Sequence, residues 1–161
     1  MGWLFPLLWL YGVYLLTIAV HEGGHFFAIR RAGYFWRHCF IGPLHLRPVG
    51  KPRFSGSLFG GRIEYDAPPR LRSFSKDLWV GLGGILANLA LAITVNLLLA
   101  ALPKAWQEWD KQGWYLPNIA IWSVLAVLGS LLPLKLPQGS SDGLRLFQLC
   151  AEHYRKRNNK R

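Results

Sequence analysis

The chain is poor in acid: eight Asp and Glu stand against 19 Lys and Arg in 161 residues, a formal net charge of +11. So short a supply of carboxylates limits which groups can serve as acid, base or metal ligand. Cysteine is scarcer still, and the spacing of Cys39 and Cys150 fits no metal-binding pair. Neither thiol is expected to do more than pack. Charge of either sign is missing from three long segments, residues 1–20, Leu78 to Pro103 and Gln112 to Leu134. Each approaches or exceeds the roughly 20 apolar residues that cross a bilayer. The first also lacks the basic start and small-residue cleavage site of a signal peptide. Its pattern runs on through His21 and His25 into FFAIR, so it reads as a retained transmembrane helix. A single such segment could be a buried helix of a soluble protein. Three of them, separated by charged loops, predict a polytopic membrane protein. A hydrophobic fraction of 52% with eight Trp agrees, as does a mean hydropathy of +0.18.

A chain this basic could bind nucleic acid or could sit in a membrane with its cations on one side. The positions of the bases decide. Ten fall between Arg30 and Lys76 and seven from Lys135 onward, whereas the loop PKAWQEWDKQGWYLP holds only Lys104 and Lys111. With three crossings, the first loop and the tail share a side, and the positive-inside rule makes it cytoplasmic. The N-terminus and the 103–116 loop are then outside, with Trp106, Trp109, Trp114 and Tyr115 as an interfacial aromatic belt. Topology accounts for the charge, so no nucleic-acid partner is expected. Both cysteines face the cytoplasm, where thiols stay reduced. The expected fold class is mainly α, a polytopic membrane protein with three transmembrane helices (about 3–29, 78–102 and 116–134). A small cytoplasmic β-hairpin or sheet lies between the first two, within a β-rich loop at 38–66. In that loop CFIGPLHLRPVG and SLFGGRIEYDAPP alternate apolar and polar residues between Gly and Pro, which predicts two or three short strands. Residues 142–161 form a basic helix or tail, whose last stretch EHYRKRNNKR lies against anionic lipid headgroups or stays disordered.

The chemistry lies in TIAVHEGGHFFAIR, residues 17–30. His21 and His25 are four apart, so on a helix they project from one face and can reach one ion. Imidazole nitrogens suit zinc, and a catalytic zinc takes three protein ligands and leaves a position for water. Glu22, beside His21, is placed to act as general base on that water. Ionisable groups in a membrane span are costly and usually functional. Gly23 and Gly24 reduce helix propensity by about 1 kcal/mol each relative to Ala, which suits a close backbone approach or tight helix packing. Among the remaining carboxylates and histidines, Glu108 and Asp110 are on the wrong side. Glu64, Asp66, Asp77, Asp142, Glu152, His38, His45 and His153 remain as candidates for a third ligand. Asp142 follows a Pro- and Gly-broken connection that can fold back toward the first helix, but it also stands where a helix N-cap belongs. Glu64 is a competitor, since some zincins complete the site with glutamate. His38 and His45 are assigned to the surface or packing of their loop.

The combination of HEGGH late in one span, GGILANLALA in the next and LLPLKLPQGSSDG after a third resembles the site-2 protease family of intramembrane metalloproteases. In that family HExxH and an aspartate in a downstream Asn-x-x-Pro…Asp-Gly motif bind zinc. The resemblance implies His21, His25 and Asp142 as ligands of one Zn2+ per chain and Glu22 as the catalytic base. It also implies Asn88, from the match of Gly84 to Asn88 with Gly-Pro-x-x-Asn, as a polar group near the reacting carbonyl; a buried helix–helix hydrogen bond is the plain alternative for it. Ile85 stands where the family has Pro, and Ser130 where it has Asn before Leu-Leu-Pro.

The function implied is zinc-dependent intramembrane endopeptidase activity on a transmembrane protein or peptide substrate. The loop strands would either hold that substrate extended by strand addition or form a cytoplasmic hairpin that merely tethers two helices. The site would lie near the cytoplasmic side of a bacterial-type plasma or inner membrane, in a single catalytic core spanning 1–161 with no inserted domain of PDZ size. Three spans enclose a water-filled site poorly, which makes a homodimer an expectation. The alternative is a non-proteolytic membrane metal-binding protein or a protease-derived scaffold, for which Glu22 would have no use.

Overall fold

The computed structural model describes residues 4–54, 57–103, 115–136 and 139–159. Trp106, Trp109, Trp114 and the Tyr115 side chain, the expected outer aromatic belt, lie outside what is described. Among the described residues, four α-helices, one 3-10 turn (Pro69–Leu71) and six short strands follow one another. Helix α1 (Leu4–Ala32) keeps Pro6 in its first turn, where a backbone N–H needs no helical partner. It closes with Gly33 at φ +79. The Gly33 N–H donates to the Arg30 carbonyl at 3.1 Å and the Tyr34 N–H to the Ile29 carbonyl at 3.0 Å. This paired closure needs a left-handed residue, which glycine supplies without strain.

The chain then forms β1 (Phe35–Ile41), β2 (Leu44–Leu46), β3 (Arg53–Phe54) and β4 (Gly61–Asp66). They make one antiparallel sheet in the order β3-β2-β1-β4. The sheet starts three residues earlier than expected and has four strands rather than two or three. The apolar-polar alternation continues upstream into FWR, and the two-residue β3 is too short to carry a pattern of its own. Between β1 and β2 the turn uses Gly42 at φ +52. A Cβ there would come within 2.5 Å of Leu15 Cδ2, so the hairpin rests directly on α1. Cys39 and Ile63 on the inner face join Ile29, Ala32, Tyr34 and Val80 in the buried core. The Tyr34 hydroxyl donates to Asp77 Oδ1 at 2.8 Å and Arg72 Nε donates to Asp77 Oδ2 at 3.1 Å. These bonds tie the sheet to the start of the next helix.

Helix α2 (Phe74–Ala101) begins four residues before the expected span, because Ser73 caps it by accepting from the Lys76 N–H at 3.3 Å. Helix α3 (Tyr115–Leu131) stops three residues short of expectation. Pro133 disfavours helical backbone at Leu132, and the Leu132 carbonyl instead accepts from Ser141 Oγ at 2.5 Å. A hairpin of β5 (Lys135–Leu136) and β6 (Gly139–Ser140) leads into α4 (Asp142–Asn158), the expected basic C-terminal helix.

Helices α1 and α2 are long and apolar enough to cross a membrane by length and composition. The described part of α3, 17 residues, is shorter than the roughly 20 that cross a bilayer. The most apolar window of α1 is only 11% buried and that of α2 28%. Leu7, Leu8 and Leu16 on α1, and Leu89, Ile93 and Leu97 on α2, are exposed. A helix that is apolar all round and uncovered by protein is patterned for lipid. Helix α2 packs between α1 and α3, and α4 lies against α2 and α3.

Candidate metal centre

Helices α1 and α2 touch backbone to backbone. A Cβ on Gly24 would overlap the Gly83 carbonyl and come within 2.6 Å of Ala87 Cβ, and one on Gly83 would lie 2.6 Å from the Gly24 carbonyl oxygen. Gly23, by contrast, has nothing within 4 Å of its Cβ position, so of the two expected glycines only one serves the crossing. The contact sets the His21–His25 face of α1 over α2 at Gly84. A Cβ on Gly84 would stand 2.5 Å from His21 Nε2 and 2.6 Å from His25 Nε2, so both rings occupy space that only glycine leaves open.

The third group arrives from the far end of the chain. Asp142 Oδ2 lies 2.9 Å from His21 Nε2 and 3.1 Å from His25 Nε2, and the two nitrogens are 3.2 Å apart. Asp142 is not the helix cap. Ser141 takes that role, its Oγ accepting from the Leu144 N–H at 3.3 Å and the Leu134 N–H at 2.9 Å. The carboxylate is thereby free to face the histidines.

The Val80 carbonyl lies 2.7 Å from His25 Nδ1. A carbonyl only accepts, so the proton sits on Nδ1 and Nε2 keeps its lone pair. A lone-pair nitrogen 3.1 Å from a carboxylate oxygen and 3.2 Å from a second imidazole calls for a cation among them. Two imidazoles and one carboxylate are the donor set of a catalytic zinc site, and the residues present fit that ion.

Three of the rival carboxylates have other partners, and the fourth, Glu152, is exposed. Glu64 pairs with Arg62 at 2.7 Å and Asp66 with Arg37. Asp77 is held by Tyr34 and Arg72. His38 and His45 lie 3.0 Å from each other on the sheet, and His153 stacks on Phe74. Among the described residues only His21, His25 and Asp142 group as potential metal ligands.

Glu22 is 5% exposed and borders the same cavity of about 590 Å³. Gly61 of β4 makes its room: a Cβ there would lie 2.6 Å from Glu22 Oε1 and 2.5 Å from Ile18 Cγ2. Asn88 is fully buried and its side-chain amide meets His21 Nδ1 at 3.2 Å.

A family model of peptidase family M50 matches residues 10–157, which take in both histidines, Glu22, Asn88 and Asp142. The chain belongs to peptidase family M50, the site-2 protease family. Neither the curated proteins nor the solved structures yield a match. Proteases of M50 are zinc metalloproteases and are generally membrane-embedded, which agrees with the donor set and with the uncovered apolar helices.

For this M50 chain, sequence reasoning missed three contributors, Gly61, the Val80 carbonyl and Ser141, and named Gly84 only as the start of the stretch matched to Gly-Pro-x-x-Asn. Ser141 carried a signal, a Ser immediately before the first helical residue. The Val80 carbonyl had none, because a backbone acceptor is indifferent to its side chain.

Proposed function

We propose that this chain is a zinc-dependent intramembrane endopeptidase that hydrolyses peptide bonds within or near transmembrane segments of membrane-protein substrates. The observation that carries the reading is the convergence of His21 Nε2, His25 Nε2 and Asp142 Oδ2 within 3.2 Å of one another, with the Glu22 carboxylate on the same cavity. His21, His25 and Asp142 would hold the ion. A bound zinc supplies Lewis-acid polarisation and brings the pKa of water toward neutrality. Glu22 takes a proton from the attacking water as the O–C bond forms, then returns it to the amine nitrogen as the C–N bond breaks.

The substrate lies extended. Strand β4 is at the end of the sheet order, and its Gly61, Ile63 and Tyr65 border the cavity. A peptide pairing with that edge, which no other described strand occupies, is drawn out of helical form, and its backbone becomes open to attack. The protein is multi-pass, with its N-terminus outside and HEGGH at the cytoplasmic end of α1, in a bacterial-type plasma or inner membrane. The basic last turns of α4, with Arg155, Lys156 and Arg157, rest on anionic headgroups.

The test is Glu22→Gln in the purified, detergent-solubilised chain, with zinc content and cleavage of a transmembrane peptide measured together. Zinc should remain at one per chain while turnover falls by about 10²–10⁴-fold, the range of a lost general base. A variant that cleaves at the wild-type rate, or a wild type that holds no zinc, would overturn the reading.

A further inference from the structure

Three positions one helical turn apart on α2, Val80, Gly84 and Asn88, form a single stripe facing the HExxH helix. Val80 gives its carbonyl to His25 Nδ1 at 2.7 Å. Gly84 leaves the space for both rings. Asn88 presents its amide to His21 Nδ1 at 3.2 Å. The stripe therefore meets both imidazoles at Nδ1 and leaves both Nε2 atoms pointing to Asp142.

Asn88 is 0% exposed in the middle of an apolar helix, where a buried polar atom without a partner is costly. With the amide nitrogen toward His21, Asn88 Oδ1 is a buried acceptor with no hydrogen-bond partner. In that orientation the amide donates to Nδ1, the imidazole proton moves to Nε2, and the lone pair needed by a metal is gone. Turning the amide over, which its shape permits, puts Oδ1 on His21. It then accepts from Nδ1–H, and His21 Nε2 regains its lone pair.

We infer that Asn88 is a positioning residue whose side-chain oxygen fixes the tautomer and ring orientation of His21, as the Val80 carbonyl fixes those of His25. The inference rests on the metal reading proposed above and assigns Asn88 to the ligand rather than to the reacting carbonyl. Partners at the second nitrogen of a ligating histidine orient the ring and raise its basicity, and removing one weakens metal binding by about 10–100-fold.

The experiment is zinc affinity by chelator competition on the full chain in detergent, together with the visible absorption of the Co2+-substituted protein. Asn88→Ala and Asn88→Leu should bind zinc about 10–100-fold more weakly than wild type and alter the Co2+ bands. Asn88→Asp, which keeps an oxygen acceptor, should restore both. Asn96→Ala, which removes an amide bonded only to the Ala92 carbonyl at 2.8 Å on the same helix, should leave both unchanged. Equal affinity of the Ala and Leu variants and wild type overturns the inference and leaves the protease reading standing. So does an Asp variant as weak as the Ala variant. A wild type that binds no zinc overturns the two together.

Discussion

Gly24 and Gly83 face each other at the crossing of α1 and α2 so closely that neither position has room for a Cβ. The contact lies between the two helices that carry His21, His25 and Asn88, so it sets the depth at which the rings lie on α2. Gly24→Ala should destabilise the protein by about 1–3 kcal/mol, the usual result of overpacking, and should reduce zinc content as the rings withdraw from Gly84. Gly23→Ala is the contrast, with nothing within 4 Å. It should be neutral or stabilise by up to about 1 kcal/mol, the helix-propensity difference between Gly and Ala. Thermal unfolding of both variants in detergent checks the pair.

Asp142 and Ser141 are neighbours with separable duties. Asp142→Ala should abolish stoichiometric zinc. Ser141→Ala should cost about 1 kcal/mol as a lost cap, and the ligands should stay in place. Glu64→Ala breaks an exposed pair with Arg62 and should alter neither zinc nor stability by more than about 0.5 kcal/mol. Metal analysis of the three purified variants decides this, and zinc lost with Glu64 but kept with Asp142 would refute the ligand assignment.

Gly61 gives Glu22 its space. A methyl group there would displace Ile18 Cγ2 or Glu22 Oε1, which lie 2.5 and 2.6 Å from its position. Gly61→Ala should therefore keep zinc at wild-type level and lower kcat by roughly 10²-fold, since small displacements of a reacting group cost about that much. Peptide cleavage measured beside metal content separates this from a loss of folding.

The two cysteines should differ in reactivity. Burial, with a smaller contribution from Glu22, pushes the Cys39 thiol up to about 11, whereas Cys150 is exposed. At pH 8 roughly one Cys39 in a thousand is thiolate, the reactive form. Iodoacetamide at that pH should label Cys150 alone until the protein is unfolded. The Cys39 proton is held more tightly in the folded state than its ordinary value of 9.0. Its contribution to stability is therefore complete below pH 9 and lost as pH rises toward 11. Cys39→Ala should remove that alkaline component from the unfolding profile.

The parts of the site written in short-range spacing were legible. An i, i+4 histidine pair on an apolar run declares one helix face, and α1 carries both His21 and His25 on the side that meets α2. The apolar runs located the long helices, and the Gly- and Pro-bounded loop located the sheet. Asp142 was harder, because ligand and cap place the same residue type at the start of a helix. Only the neighbouring Ser141, by taking the cap, separates the two roles. Gly61 and Gly84 act by what they lack, and a missing side chain leaves no chemical mark in a sequence with 17 glycines.

Between His25 and Asp142 lie 116 residues, and 120 between His21 and Asp142. A ribosome adding about 5–20 residues per second emits the two histidines many seconds before the aspartate that completes their triangle. Throughout that interval the nascent chain can thread and pack α1 and α2 while the proposed metal centre lacks one of its three ligands. The order of the chain thus acts as a safety catch on the proposed hydrolysis, which waits until the segment carrying Asp142 has been made and has folded back.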